Sequence, residues 1–283
     1  MIQRLAVVGV GLLGGSVAKA ARAQGLAREI VGIGRDGRRL EPALRDGALD
    51  RATTDLTTGV AGADFVVLAA PVAAIEHLLG EVWRAAPADA LLTDVGSTKG
   101  GIVRAAQRLA AGRPLQFVGS HPMAGSERSG YAVARADLFH GATVIVTPSE
   151  SSAPAAVKGI TAFWEALGAG RILALDPDAH DRAVAAVSHL PHLVACALVD
   201  GVARFDPAAF EVAARGFRNT TRIAASDPEV WEEIFLANRD ALGPTIREFL
   251  RALAELSKLI DAGDAAGLRA ALARIKAQRE ALP

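Results

Sequence analysis

The chain has a single cysteine, Cys196, so it cannot form an intrachain disulfide, and a reducing compartment fits it. Cys196 lies in the apolar run Leu193-Val194-Ala195-Cys196-Ala197-Leu198, where a small core residue is the better reading than a nucleophile. An excess of charge of one sign is also missing, since 31 Lys and Arg balance 31 Asp and Glu. That balance argues against a nucleic-acid groove or an acidic lipid surface as the main partner. Any anion must then be bound by a few placed cations and by helix N-termini. No run approaches the roughly eighteen uninterrupted apolar residues of a membrane span. The first residues, Met1 to Gly9, lack the long apolar core and cleavage site of a secretory signal. A soluble, cytoplasmic protein with no membrane contact is expected. Zinc-type ligand spacing is absent too: the nearest histidine pair, His189 and His192, is i, i+3 across a proline. No metal is expected.

What is present has two characters. At 283 residues, half of them apolar, the chain is long enough for two domains. Its first half alternates short apolar runs (Leu5 to Val8, Ile30 to Ile33, Phe65 to Ala69, Leu91 to Val95, Phe117 to Gly119, Thr143 to Val146) with helix-like stretches such as Leu12 to Gln24 and Ala73 to Arg84. Strands alternating with helices imply parallel pairing through right-handed crossovers, and continuous apolar runs suit strands covered on both faces. From about Asp176 onward no strand is predicted. Asp178 to Arg204, Pro228 to Leu259 and Ala265 to Leu282 have helical composition and spacing. Asp176-Pro177 and Asp227-Pro228 read as helix starts, an N-cap acid followed by Pro in the first turn. The reading is a doubly wound parallel α/β domain over residues 1–170 and an all-α domain over 171–283.

The turn Gly9-Val10-Gly11-Leu12-Leu13-Gly14 follows an apolar strand and opens a helix, the context of the Rossmann dinucleotide fingerprint. Gly9 permits the tight turn, Gly11 lets backbone amides approach a pyrophosphate, and Gly14 allows close helix-to-strand packing. The phosphates would sit at the helix N-terminus, where unpaired amides point outward. Leu12, Leu13 and Ala70-Pro71, which follow the Phe65 to Ala69 run, complete the expected cofactor contacts. The acid that usually reads the adenosine ribose lies about twenty residues on. Here that place is held by Gly34, followed by Arg35 and Asp36, with Arg38 and Arg39 close behind. Space plus positive charge favours NADP over NAD. The alternative, in which Asp36 reads the ribose and the arginines are merely solvated, stays open.

Polar clusters follow the later strands: Asp94-Val95-Gly96-Ser97-Thr98-Lys99, and His121-Pro122-Met123-Ala124-Gly125-Ser126-Glu127. Two more, Ser188-His189-Leu190-Pro191-His192 and Gly216 to Arg222, lie in the helical half, the first interrupting a helix and the second between two helices. Ligands of open α/β sheets bind outside the carboxyl ends of the strands, so the first two clusters should face a nicotinamide.

Taken in order, GVGLLGGS, DVGSTK, HPMAGSERSG, SHLPH and GFRNTTRIA resemble the prephenate and arogenate dehydrogenase family, over residues 6 to about 240. The resemblance implies a bidomain homodimer paired through its helical domain, with the active site between domains. It implies hydride transfer from a cyclohexadienol to NAD(P), coupled to decarboxylation, with prephenate as substrate and arogenate open as a second. It gives His121 the role of base, which suits a group that titrates near neutrality, and Ser97 that of a hydroxyl partner. Arg222 would hold a substrate carboxylate, for which the planar guanidinium fork is fitted. His192, Glu127 and Trp231 would line the substrate site, Lys99 matches a further position, and His189 would orient its loop. Where many relatives carry Asp, this chain has Asn219, which weakens any ionic gate with Glu127 and favours prephenate. Domains fused before or after the core are not expected. A β-hydroxyacid dehydrogenase is the other enzyme reading, but its interdomain motif is not found. A silent NADP-sensing protein is the non-enzyme reading, and intact His121, Ser97 and Arg222 argue against it.

Overall fold

The computed structural model of the chain describes residues 1–110, 116–126 and 128–282. Five parallel strands form the main sheet: β1 (Ile2–Val8), β2 (Ala27–Ile33), β3 (Arg51–Thr53), β4 (Phe65–Leu68) and β5 (Leu91–Asp94), in the order β3-β2-β1-β4-β5. β1 lies at the centre because Leu5 to Val8 is apolar on both faces. Its Val7 pairs with Gly32 on one side and Val67 on the other, and all four residues are buried. The connecting helices are α1 (Leu12–Ala23), α2 (Gly37–Arg45), α3 (Leu56–Val60), α4 (Val72–Ala85) and α5 (Gly100–Leu109). The chain crosses from one side of β1 to the other between β3 and β4, so the carboxyl ends of β1 and β4 flank the switch point where such sheets bind ligands.

The alternating pattern predicts that the strands after β5 extend this sheet in parallel; they do not. They form a second sheet of β6 (Gly119–Pro122), β7 (Thr143–Thr147) and β8 (Arg171–Ala174), with β6 antiparallel to β7 and β8 parallel to it. The reason lies in the β6–β7 link. Among the described residues it holds only a short 3-10 turn, Tyr131–Val133, and no helix for a parallel crossover. The chain therefore reverses. Phe117 touches the main sheet through one bridge to Leu92, and α6 (Pro154–Ala166) leads into β8. An aromatic cluster joins the two sheets. Phe163 of α6 stacks on Phe65 of β4 at 4.3 Å between ring centroids, and Trp164 meets Phe139 edge to face at 5.3 Å.

Beyond Asp176, which caps the next helix by accepting from Asp178 N and Ala179 N, no strand occurs among the described residues. α7 (Pro177–Val184) runs through a π turn (Ala185–His189) into α8 (Leu190–Phe205). The SHLPH segment thus does not interrupt the helix. The wider turn takes up Pro191, which lacks an amide to donate. This run of 29 residues is long and apolar enough to cross a membrane by composition alone, yet only 28% of its apolar window is covered. Its buried face carries His180, His189 and His192. Then come α9 (Arg215–Thr221), a 3-10 turn at Arg222–Ala225 and α10 (Pro228–Ala237). The Gly216 to Arg222 segment is therefore itself helical. Residues 1–238 form one compact unit. A second begins at Arg239 and consists of α11 (Arg239–Asp261) and α12 (Ala265–Glu280), joined by a turn at Gly263, whose φ of 62° suits glycine.

Candidate functional site

The glycine turn is built for close approach. Gly9 has φ 94°, and a Cβ there would lie 2.3 Å from the Ala69 carbonyl oxygen at the end of β4. A Cβ at Gly14 would fall 1.9 Å from the Gly9 oxygen. Gly11, by contrast, has open space where its Cβ would be, and it precedes α1 with no side-chain cap. The first-turn amides of a twelve-residue helix thus face an uncovered approach, which fits a pyrophosphate. Leu12 and Leu13 stand in that first turn, and Ala70 and Pro71 lead into α4. At the end of β2, Arg35, Arg38 and Arg39 are exposed. Asp36 is occupied locally, its carboxylate accepting from Arg38 N at 3.0 Å to cap α2.

The carboxyl end of β5 is tied to β6 by a buried ion pair. Lys99, which could have been a solvated lysine at a helix start, is fully buried and donates to Asp94 and to the Ser120 carbonyl oxygen at 2.8 Å. Asp94 also accepts from Gly96 N at 2.8 Å and Ser120 N at 3.1 Å. Gly119 leaves room for this, since a Cβ there would meet the Lys99 stem at 3.2 Å and the Thr147 hydroxyl at 2.5 Å. His121 lies within β6, opposite Ile145 of β7, and is 9% exposed. Ser97 is half-buried in the turn between Asp94 and Lys99.

From α7 a second histidine reaches the first. His180 Nε2 lies 2.9 Å from His121 Nδ1, and His180 Nδ1 lies 2.8 Å from Asp181 Oδ1. Asp181 in turn accepts from the amides of Lys99 at 2.7 Å and Gly100 at 2.8 Å, opening α5. Asn238 donates to the Asp181 carbonyl oxygen at 2.8 Å and pairs with His189 Nδ1 at 3.0 Å. His180, Asp181 and Asn238 escape sequence reasoning. Pro-Asp-Ala-His-Asp-Arg reads as a solvated first turn, and the only available signal is that His180 stands one turn inside a well-capped helix.

His192, 2% exposed, stacks on Trp231 with centroids 3.4 Å apart and an interplanar angle of 16°. Trp231 is thus placed by a histidine, not lodged in an apolar core. Arg222 is exposed at the end of α9 and has an interaction partner. Glu127 lies outside the described residues. A cleft of about 490 Å³ between α4 and α10 is lined by Glu76, Glu229, Glu232 and Glu233, but by none of these site residues. Its acidic wall suits no anionic substrate.

Two family models match the chain: prephenate dehydrogenase, nucleotide-binding domain, over residues 17–173, and prephenate dehydrogenase, dimerization domain, over residues 176–274. The chain belongs to the prephenate dehydrogenase family. Among its relatives, a prephenate dehydrogenase of Bacillus subtilis is 33% identical over 287 residues, covering 100% of this chain and 77% of that one. The crystal structure of prephenate dehydrogenase from Aquifex aeolicus, in complex with hydroxyphenyl propionate and NAD+, superposes with a TM-score of 0.92 at 33% identity, over 99% of this chain and 98% of that one. Arogenate dehydrogenase of Synechocystis gives 0.84 at 30% identity, over 98% and 99%. As a member of the prephenate dehydrogenase family, the chain is a dehydrogenase that uses a nicotinamide cofactor.

Three histidines of this prephenate dehydrogenase family member, His121, His189 and His192, are disfavoured as cations. Burial, with His180, Lys99 and His189 nearby, pulls His121 well below the ordinary value of 6.5. Burial opposes ionisation of Asp181, but hydrogen bonds from His180 and the Lys99 and Gly100 amides outweigh it and keep the carboxyl below its ordinary range. Burial lowers both His189 and His192 from 6.5 to about 4. The unfolded chain therefore binds protons between about 6.5 and 4 that folded His189 and His192 refuse, so stability rises with pH across that window and falls on acidification. Melting curves taken from pH 7 to pH 4 should show this loss. His189→Gln, which keeps an acceptor for Asn238, should flatten it, and an unchanged slope would remove His189 from the account.

Proposed function

We propose that the enzyme oxidatively decarboxylates prephenate to 4-hydroxyphenylpyruvate, using NADP in preference to NAD. The observation that carries the reading is His121, a buried, neutral imidazole on the β6 end that Lys99 and Asp94 fasten to β5. A neutral imidazole can take the proton of the substrate's ring hydroxyl as the carbinol carbon gives up hydride. The bound nicotinamide supplies the hydride acceptor. Loss of carbon dioxide then sends the bonding electrons into the ring, and the ring oxygen becomes a phenolate. His121 can return to that oxygen the proton it took, so it ends the cycle neutral. Ser97 is assigned to the same hydroxyl, and Arg222 to a substrate carboxylate. His192 and Trp231, stacked on one another, are assigned with Glu127 to the rest of the substrate.

Residues 1–170 serve the cofactor in this reading, and 171–283 the substrate and a homodimer interface. The dimer is supported by the description of the second family model and by apolar residues left uncovered, among them Val187 at 71% and Phe205 at 91% exposure.

Preference for NADP rests on Gly34 and the exposed Arg35, Arg38 and Arg39, with Asp36 occupied in capping α2. An Arg-to-phosphate contact contributes on the order of 1.5 to 3 kcal/mol, roughly one to two powers of ten in affinity. Steady-state kinetics on a grid of prephenate and arogenate against NADP and NAD tests the whole reading. Prephenate with NADP should give the highest kcat/KM. Gly34→Asp, whose side chain displaces only the flexible end of Leu40, should reverse the cofactor preference. Turnover with neither substrate would defeat the function. A wild type that prefers NAD, with Arg35→Ala hitting both cofactors equally, would defeat the cofactor reading.

A further inference from the structure

Hydrogen-bond roles along Asp181, His180 and His121 can be worked out from the end that has no freedom. The Asp181 carboxylate accepts from two backbone amides and is held ionised, so it can only accept from His180. The proton between them therefore sits on His180 Nδ1. The 2.9 Å contact between His180 Nε2 and His121 Nδ1 needs one donor and one acceptor, and with the His180 proton placed on Nδ1 the Nε2 takes the acceptor's part. His121 Nδ1 must be the donor in that contact, which leaves His121 Nε2 with the free lone pair. Each assignment forces the next. Asn238 and the amides of Lys99 and Gly100 hold the Asp181 end in place, so the order of donors does not depend on a mobile side chain.

We propose that His180 and Asp181 are positioning residues that act through His121, fixing the tautomer in which Nε2 is the proton acceptor and sharing the charge that His121 gains. The proposal rests on His121 being the base. When His121 Nε2 takes the hydroxyl proton, the O–H bond breaks, an N–H bond forms, and the ring becomes an imidazolium. Its Nδ1 proton already points at His180 Nε2, and beyond His180 stands the Asp181 carboxylate. The positive charge thus faces two acceptors in line, in a place where Lys99 would otherwise oppose it. The other groups facing His121 are His189, through the network of Asn238, and Asp94, which balances Lys99. Without the relay, neutral imidazole divides between two tautomers, one of which carries its proton on the nitrogen that must accept.

The test pairs two variants with a direct view of the ring. His180→Phe removes the acceptor for His121 Nδ1, while His180→Gln offers a carboxamide oxygen in its place. His180→Phe should lower kcat by roughly one to three powers of ten, the range below a wholly misdirected catalytic histidine. KM for prephenate and the Kd for cofactor should stay within about twofold. His180→Gln should recover most of the loss, because it restores the tautomer without the charge sharing. Nitrogen-15 NMR of the histidine-labelled wild type should show His121 protonated on Nδ1 and bare on Nε2, and His180→Phe should show a mixture. A His180→Phe enzyme within twofold of the wild-type kcat would overturn the proposal. So would a resting wild type with its proton on His121 Nε2, a result that needs no variant to fold. If His121→Asn itself kept normal turnover, the assignment of the base would fail instead, so the two failures are distinguishable.

Discussion

His121→Asn should cut turnover by roughly two to four powers of ten, the usual cost of a lost general base. Asparagine is the informative replacement because its amide nitrogen can still donate toward His180 Nε2, where His121 Nδ1 stands at 2.9 Å. The buried neighbourhood of β6 keeps its hydrogen bond while the proton acceptor disappears. Cofactor affinity should barely change, since His121 belongs to β6 and not to the Gly9 to Gly14 turn. The measurement is kcat by nicotinamide absorbance, beside a Kd from fluorescence titration. Near-normal turnover would remove His121 from the chemistry. In the wild type, the acid limb of kcat/KM should fall well below pH 6.5, because burial and nearby positive charge disfavour the protonated ring.

Lys99→Met should be the most damaging single change to stability. Methionine matches the stem in length but leaves Asp94 fully buried and without its cation. Two amide donors remain, from Gly96 and Ser120, and they cannot replace a unit charge. Breaking a buried pair from one side costs about 3 to 5 kcal/mol. At roughly 2 to 4 °C per kcal/mol for a protein of this size class, Tm should drop by on the order of 10 °C. Adding Asp94→Asn should restore part of it, because the stranded charge is then gone. A shift under about 2 °C in the single variant would mean that β5 and β6 are held together by other contacts, such as Thr93 Oγ1 to the Val118 carbonyl oxygen at 2.7 Å.

The parts of this molecule that a reader of the sequence can find are those with local causes. The glycine turn and the helix starts at Asp176 and Asp227 each follow from a backbone need met by neighbouring residues, and all stand where the pattern puts them. The second sheet was hidden because strand direction depends on what fills the β6–β7 link, and Thr143 to Val146 reads the same in either direction. Lys99 illustrates a deeper limit. Nothing in DVGSTK distinguishes a solvated lysine from one that crosses under β6, because its partner Ser120 is 21 residues away. The same holds for the ring-to-ring contact of His121 with His180, which are 59 residues apart. His192 and Trp231 were suggested by resemblance, yet their mutual stacking had no local signature.

The π turn at Ala185–His189 has a consequence for phase. A regular helix turns about 100° per residue, so the twelve steps from His180 to His192 would set the two side chains about 120° apart. A π turn absorbs one extra residue, and the effective eleven steps bring them to within about 20°. His180 can then meet His121 while His192, about three turns further on, presents its ring to Trp231 from nearly the same side of the rod. The angular alignment of two histidines thus hangs on one surplus residue in five. Were the turn to close into a regular helix with no residue removed, the chain would keep every side chain discussed above and its composition, and everything beyond would point about 100° the wrong way.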